Sequence, residues 1–147
     1  MTLSVKTGVP EHFKLRAQDA MECTGFGLTP EQGVHQSIEL SDVWEAYYLD
    51  DQFAAVWGYA RANLFSAQCF VWLLTTDAVT EHRHLFARQS IRNCRKLFTM
   101  FHELQAIVHQ DYDVSVDWLL WLGFQPVTDF GDYVMVRCTK ENFQWHS

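Results

Sequence analysis

One junction constrains the fold of this chain more than any other stretch. The run "CFVWLLTT" (Cys69 to Thr76) is almost continuously apolar, which suits a central strand of a sheet. Soon after it, from Glu81 to Phe101, the apolar residues Ala87, Ile91, Cys94, Phe98 and Phe101 recur at spacings of 4, 3, 4 and 3. That periodicity predicts a long amphipathic helix with one buried stripe. The stretch "ELQAIVH" then reads as another strand. A central strand, a long helix and a further strand place the chain in the α/β or α+β class.

The flanking segments extend this order. "LSVKTG" reads as a first strand ended by Gly8 and Pro10. From Glu11, Phe13, Ala17, Ala20 and Met21 recur as one face of a helix that Gly25 and Gly27 stop. "TPEQ" (Thr29 to Gln32) carries an N-cap threonine, a proline at the first helical position and a capping-box glutamine. It opens a second helix that ends by Ser41-Asp42. "VWEAYYL" and "FAAVWGYARANL", joined by "DDQ", predict two antiparallel strands, with Gly58 as a bulge or close-approach site. "VSVDWLLWL" reads as a helix ended by Gly123, "FQPV" as a strand, "DFGD" as a turn and "YVMVRCT" as the last strand. The expected order is β-α-α-β-β-β-α-β-α-β-β, a mixed sheet with helices on both faces. No repeat, low-complexity run or linker interrupts it, so residues 1–147 are expected to form a single domain.

Composition excludes several classes of function. At 147 residues, with 48% apolar and 15% aromatic side chains, the chain can bury a sizeable core. No apolar run approaches the ~18 residues of a membrane-spanning helix, and the N-terminus lacks a signal-peptide pattern. A soluble protein made in a cytoplasm, without a membrane anchor, is expected. The net charge of −7 opposes non-specific nucleic-acid binding. The charge is unevenly spread, however: five of the 11 Lys and Arg (Arg83, Arg88, Arg92, Arg95, Lys96) fall between positions 83 and 96. Cys23, Cys69, Cys94 and Cys138 form no CxxC pair and are expected to be buried, reduced thiols. His82 and His84 are two apart, so on a helix they diverge and make a poor metal pair. Most of the six tryptophans are expected in the core. Trp118 and Trp121, three residues apart, cannot both lie deep on one line of a short helix, and one of them is a candidate for a partner surface. The tail residues Phe143 and Trp145 are expected to dock on the domain or on a neighbouring subunit.

Several motifs in order carry a resemblance. They are "LTPEQGVHQSIELSDVW", "FAAVWGY", "VWLLTTDAV" and "VSVDWLLWLGFQPV", which together span about Val5 to Arg137. In this order the chain resembles the GNAT acyltransferase superfamily, and within it the GNAT-like internal virion proteins of podovirus-type tailed phages. The resemblance implies acetyl-CoA as cofactor, bound in a splay between two central parallel strands. It also implies a turn after the fourth strand, Gln/Arg-x-x-Gly-x-Gly/Ala, that grips the pyrophosphate. Glycines there let backbone N–H groups at a helix N-terminus approach the phosphates without a Cβ in the way.

The matching segment here, Thr75 to Ser90, has no glycine, and none occurs between Gly58 and Gly123. Asp77 and Glu81 place negative charge where the anion would dock. The candidates for cofactor contact are Thr75, Thr76, His82, Arg83, His84 and Arg88. In the family pattern a tyrosine four residues before the glycine of "LGF" protonates the CoA thiolate, and here that position is Leu119. Tyr112 stands where an asparagine opens the segment and is the substitute acid. Glu45 and Asp77 are the candidate bases, with His109 behind them.

Two functions stay open on the sequence. One is a phage protein with degenerate or no acetyl transfer, acting by binding to capsid, portal or ejection proteins in the virion or to a host protein in the host cytoplasm. The other is an acetyl-CoA-dependent N-acetyltransferase with a divergent phosphate turn. An oligomer fits either.

Overall fold

A computed structural model describes residues 2–61, 63, 65–109 and 113–144. The elements are β1 (Leu3–Lys6), α1 (Ala17–Gly25), α2 (Pro30–Leu40), β2 (Val43–Leu49), β3 (Gln52–Arg61), β4 (Gln68–Thr75), α3 (Asp77–Glu81), α4 (Arg83–Leu97), β5 (Glu103–His109), α5 (Asp113–Leu122), β6 (Gln125–Phe130) and β7 (Tyr133–Thr139). The strands form one seven-stranded sheet in the order β1-β2-β3-β4-β5-β7-β6. Neighbours β1/β2, β2/β3, β5/β7 and β6/β7 are antiparallel. The expected parallel pair is β4 and β5, in register at Gln68↔Glu103, Cys69↔Leu104 and Phe70↔Gln105. The mixed sheet is therefore as the residue patterns predict.

Two local expectations are corrected. The first helix does not begin near Glu11 but at Ala17. The Arg16 N–H donates to the Thr75 carbonyl at 2.7 Å and Arg16 itself is extended, with ψ 142, so the backbone cannot turn helical earlier. The long helix predicted from Glu81 to Phe101 is two helices. The Thr76 side chain caps a one-turn α3, and His82, at φ −124 and ψ 41, breaks the path before α4 begins at Arg83.

The chain divides into two compact units, Met1–Ala60 with Trp72–His84, and Arg61–Val71 with Leu85–Ser147. In the first, α1 and α2 supply Leu15 (just before α1), Cys23 and Val34 to a core completed by Ala46, Val56 and Leu74 of the sheet. The capping box at Thr29 forms as predicted, with Thr29 and Gln32 each bonding the other's backbone N–H. Gly33 is a close-approach site, since a Cβ there would meet Cys23 Sγ at 2.5 Å. Gly58 is another: a Cβ would fall 2.8 Å from Trp72 Nε1 and from the Val43 carbonyl.

In the second unit the strands alternate between a dry and a wet side. Cys69, Leu104, Val134, Val136 and Cys138 are buried, while Gln68, Phe70, Ile107 and Arg137 on the opposite side are exposed. Of the predicted stripe, Ile91 and Cys94 on α4 and Phe98 and Phe101 beyond its end are buried and Ala87 is half-buried, while Phe86 and Leu97 are buried with them. The tail folds onto its own unit: Phe143 is buried and its ring lies 5.2 Å from that of Phe98. Trp145 lies outside the described residues. Gly123 ends α5 with φ +106, the left-handed cap its position predicts.

Candidate functional site

The end of β4 is held by polar groups that sequence reasoning missed. Asp19, on α1, is buried, and its Oδ2 accepts both the Thr75 N–H at 2.8 Å and the Thr75 hydroxyl in a short hydrogen bond. Its other oxygen lies 3.5 Å from Arg16 Nη2. Burial pushes the Asp19 carboxyl above its ordinary range, and the Arg16 guanidinium and the two Thr75 donors pull it partly back. The predicted helix face is rotated as a result. Met21 is exposed, and the buried line of α1 is Asp19 and Cys23. The signal available in the sequence was Arg16-x-x-Asp19, an i,i+3 ion pair that lets a carboxylate enter a helix's inner face.

The next residue repeats the pattern. The Thr76 N–H donates to the Ala54 carbonyl at 2.9 Å. The Thr76 hydroxyl donates to the same carbonyl at 2.9 Å and accepts the Ala78 N–H at 3.3 Å. Asp77 opens α3 and is exposed. The donors of Thr75, Thr76 and Ala78 are thus committed inside the unit, and a carboxylate stands beside them.

A second helix start lies six residues on. The His82 N–H still belongs to α3, donating to the Ala78 carbonyl at 3.0 Å. Arg83 and His84 begin α4 with exposed side chains. The positive end of a 15-residue helix with a guanidinium and an imidazole beside it is suited to an anion. Of the two starts, this one fits a phosphate, and His82, Arg83 and His84 are the residues that would hold it. Arg88 is exposed one turn further along α4 and belongs to the second unit.

The candidate bases lie on different elements. Glu45 is half-buried on β2 opposite Trp57, whose indole N–H donates to Glu45 Oε1 at 3.2 Å. With β3 between β2 and β4, Glu45 is two strands, about 10 Å, from the line of β4. His109 ends β5, its ring set edge-on against Tyr133 at 5.2 Å. Leu119 sits half-buried one turn before Gly123, its carbonyl accepting the Phe124 N–H at 2.9 Å. Tyr112 lies outside the described residues.

The remaining expectations concern thiols, indoles and metals. All four cysteines are free and buried. Burial pushes the thiols of Cys69, Cys94 and Cys138 up to about 12, Cys94 with added help from the other two and Cys69 with a small opposing pull from Arg61. Such thiols are inert at neutral pH. Trp121 is exposed at 41%, while the indole N–H of Trp118 is buried without a hydrogen-bond partner among the described residues. Among the described residues there is no cluster of three metal-ligating side chains, and no helix is long and apolar enough to cross a membrane.

No protein-family profile matches the chain, and no curated protein matches it. Solved structures do. The chain is similar to PH1933 from Pyrococcus horikoshii OT3, with TM-score 0.67 and 11% identity over 95% of this chain and 99% of that one. It is similar to the GNAT domain of PAT from S. lividans, with TM-score 0.62 and 16% identity over 84% and 78%. The ribosomal-protein-S5-alanine acetyltransferase of Vibrio fischeri matches with TM-score 0.57 and 14% identity over 79% and 75%. At such identities the likeness is one of backbone path. This chain folds as the GNAT acetyltransferases do.

Proposed function

We propose that the chain is a GNAT-fold binding protein of a tailed phage, with degenerate or no acetyl transfer, acting in the virion or early in infection. The observation that carries this reading is the hydrogen-bond state of the turn after β4. Thr75 and Thr76 give their N–H groups to Asp19 and Ala54, and Ala78 gives its own to Thr76. A pyrophosphate would have to displace bonds that hold α1 and β3 to the strand end, next to the charge of Asp77. The phage setting rests on the order and spacing of the sequence motifs, which point to capsid, portal or ejection proteins as partners.

A second reading is favoured by the other helix start. Arg83 and His84 leave a cationic, exposed end on α4, and side chains can take over the work of backbone donors. In this reading His82, Arg83, His84 and Arg88 hold the phosphates of acetyl-CoA, which would supply an activated acetyl thioester to a basic amine substrate. Glu45, whose Oε1 accepts the Trp57 indole N–H, would serve as base through its other oxygen.

Calorimetric titration with acetyl-CoA separates the two. The binding reading expects no heat at millimolar ligand. Micromolar affinity, lost in an Arg83→Ala/Arg88→Ala variant, would overturn it in favour of the enzyme. Mass spectrometry of purified particles tests the virion setting, and absence of the chain from particles removes that role.

A further inference from the structure

We infer that the exposed face of α4 in the second unit is a docking surface for an acidic segment of another protein, with carboxylates at helical spacing. Every exposed side chain of α4 is basic: Arg83, His84, Arg88, Arg92 and Lys96. Within the second unit, Arg88, Arg92 and Lys96 follow one another four residues apart, so they form one line with a rise of about 6 Å per step. None of the three makes an ion pair among the described residues. Helix α4 contains no Asp or Glu, although the chain has 18 of them against 11 Lys and Arg. Like charges at i,i+4 destabilise a helix, and an acidic chain had ample means to interleave carboxylates here. Beside this line the Gln89 amide donates to Asn93 at 3.0 Å, and half-buried Arg95, three residues after Arg92, adds a further cation and no carboxylate.

The geometry favours a protein over other anions. The apolar stripe of α4 (Phe86, Ile91, Cys94, Leu97) is buried, so no apolar face remains to enter a lipid surface. A duplex would cover far more than a line one residue wide, on a chain of net charge −7, and α4 exposes no aromatic ring for base stacking. A narrow partner with Glu or Asp every fourth residue matches both the spacing and the sign. The inference goes beyond the binding reading by naming a surface and a partner chemistry. It stands or falls separately from acetyl-CoA binding, because Arg92 and Lys96 belong to neither helix start.

The test uses the full chain and four probes: a labelled helical peptide with Glu at every fourth position, the same peptide with Gln, a 20-base-pair duplex, and vesicles of phosphatidylcholine with phosphatidylserine. Fluorescence anisotropy is expected to detect the Glu peptide and not the Gln peptide. Arg92→Glu/Lys96→Glu should weaken binding about tenfold or more, as should raising the salt, while the circular dichroism melt stays in place. Arg92→Gln/Lys96→Gln should give an intermediate loss. Peptide binding that ignores these changes, or tighter binding to the duplex or the vesicles, overturns the inference. So does a self-association, seen by sedimentation, that the charge reversal abolishes, since that assigns the face to a second copy.

Discussion

The two compact units each bury a carboxylate, and they do it differently. In the first, Asp19 is buried on α1, and its partners are the Arg16 guanidinium at 3.5 Å and the two donors of Thr75. In the second, Glu103 lies at the edge of a wet sheet face. It accepts a hydrogen bond from the Gln105 amide at 2.6 Å and stands 3.7 Å from the half-exposed Arg137. The inside of that unit is left to thiols and hydrocarbon: Cys69, Leu104 and Cys138 lie side by side on three neighbouring strands, all fully buried. The first unit is thus tied at the end of β4 by directional bonds, and the second is held by shape. Directional bonds fix a strand end in one position.

The comparison can be broken in three places. The largest expected effect is in the second unit, where Phe98→Ala empties a site that is 2% exposed and removes the ring stacked on Phe143. A loss of about 3–5 kcal/mol is expected in urea unfolding, and a loss near zero would mean that shape does not hold this unit.

Next is Asp19→Ala, which strands the Thr75 N–H and hydroxyl in the interior. About 1–3 kcal/mol should go. The pH dependence sharpens the point. Because burial raises the folded carboxyl above its unfolded value, its stabilising contribution is fully present below the ordinary value and is lost as pH rises through the raised one. The stability of the native chain relative to Asp19→Asn should therefore increase as pH is lowered from 7 towards 4. A difference that stays flat across that range contradicts the account of Asp19.

The smallest effect is expected for Glu103→Gln. The amide can still face Gln105, and the ion pair it loses reaches an arginine whose side chain is 52% exposed. A change below ~1 kcal/mol should follow. A cost as large as that of Asp19→Ala would erase the distinction between the two carboxylates.

Much of the fold could be read from residue order. The capping box at Thr29, the apolar run of β4, the stripe of α4 and the glycine that ends α5 are local signals, and each formed where its pattern placed it. The helix break at His82 was hidden, because the apolar spacing from Ala87 onward is blind to a cap at Thr76, seven residues before Arg83. The site was less legible than the fold. Thr75 and Thr76 were chosen for their place in a motif, yet their donors are committed to Asp19 and Ala54, residues 56 and 22 positions away.

The sequence by itself determined the periodicities, and so the element types, the mixed sheet and the lack of glycine between Gly58 and Gly123. Only the tertiary structure decided which face of α1 is inner, which helix start has its backbone donors already engaged, and which cations of α4 are exposed with no ion pair among the described residues. The reason is that hydrophobic pattern is a property of neighbours along the chain. The state of a hydrogen-bond donor depends on which distant group arrives beside it.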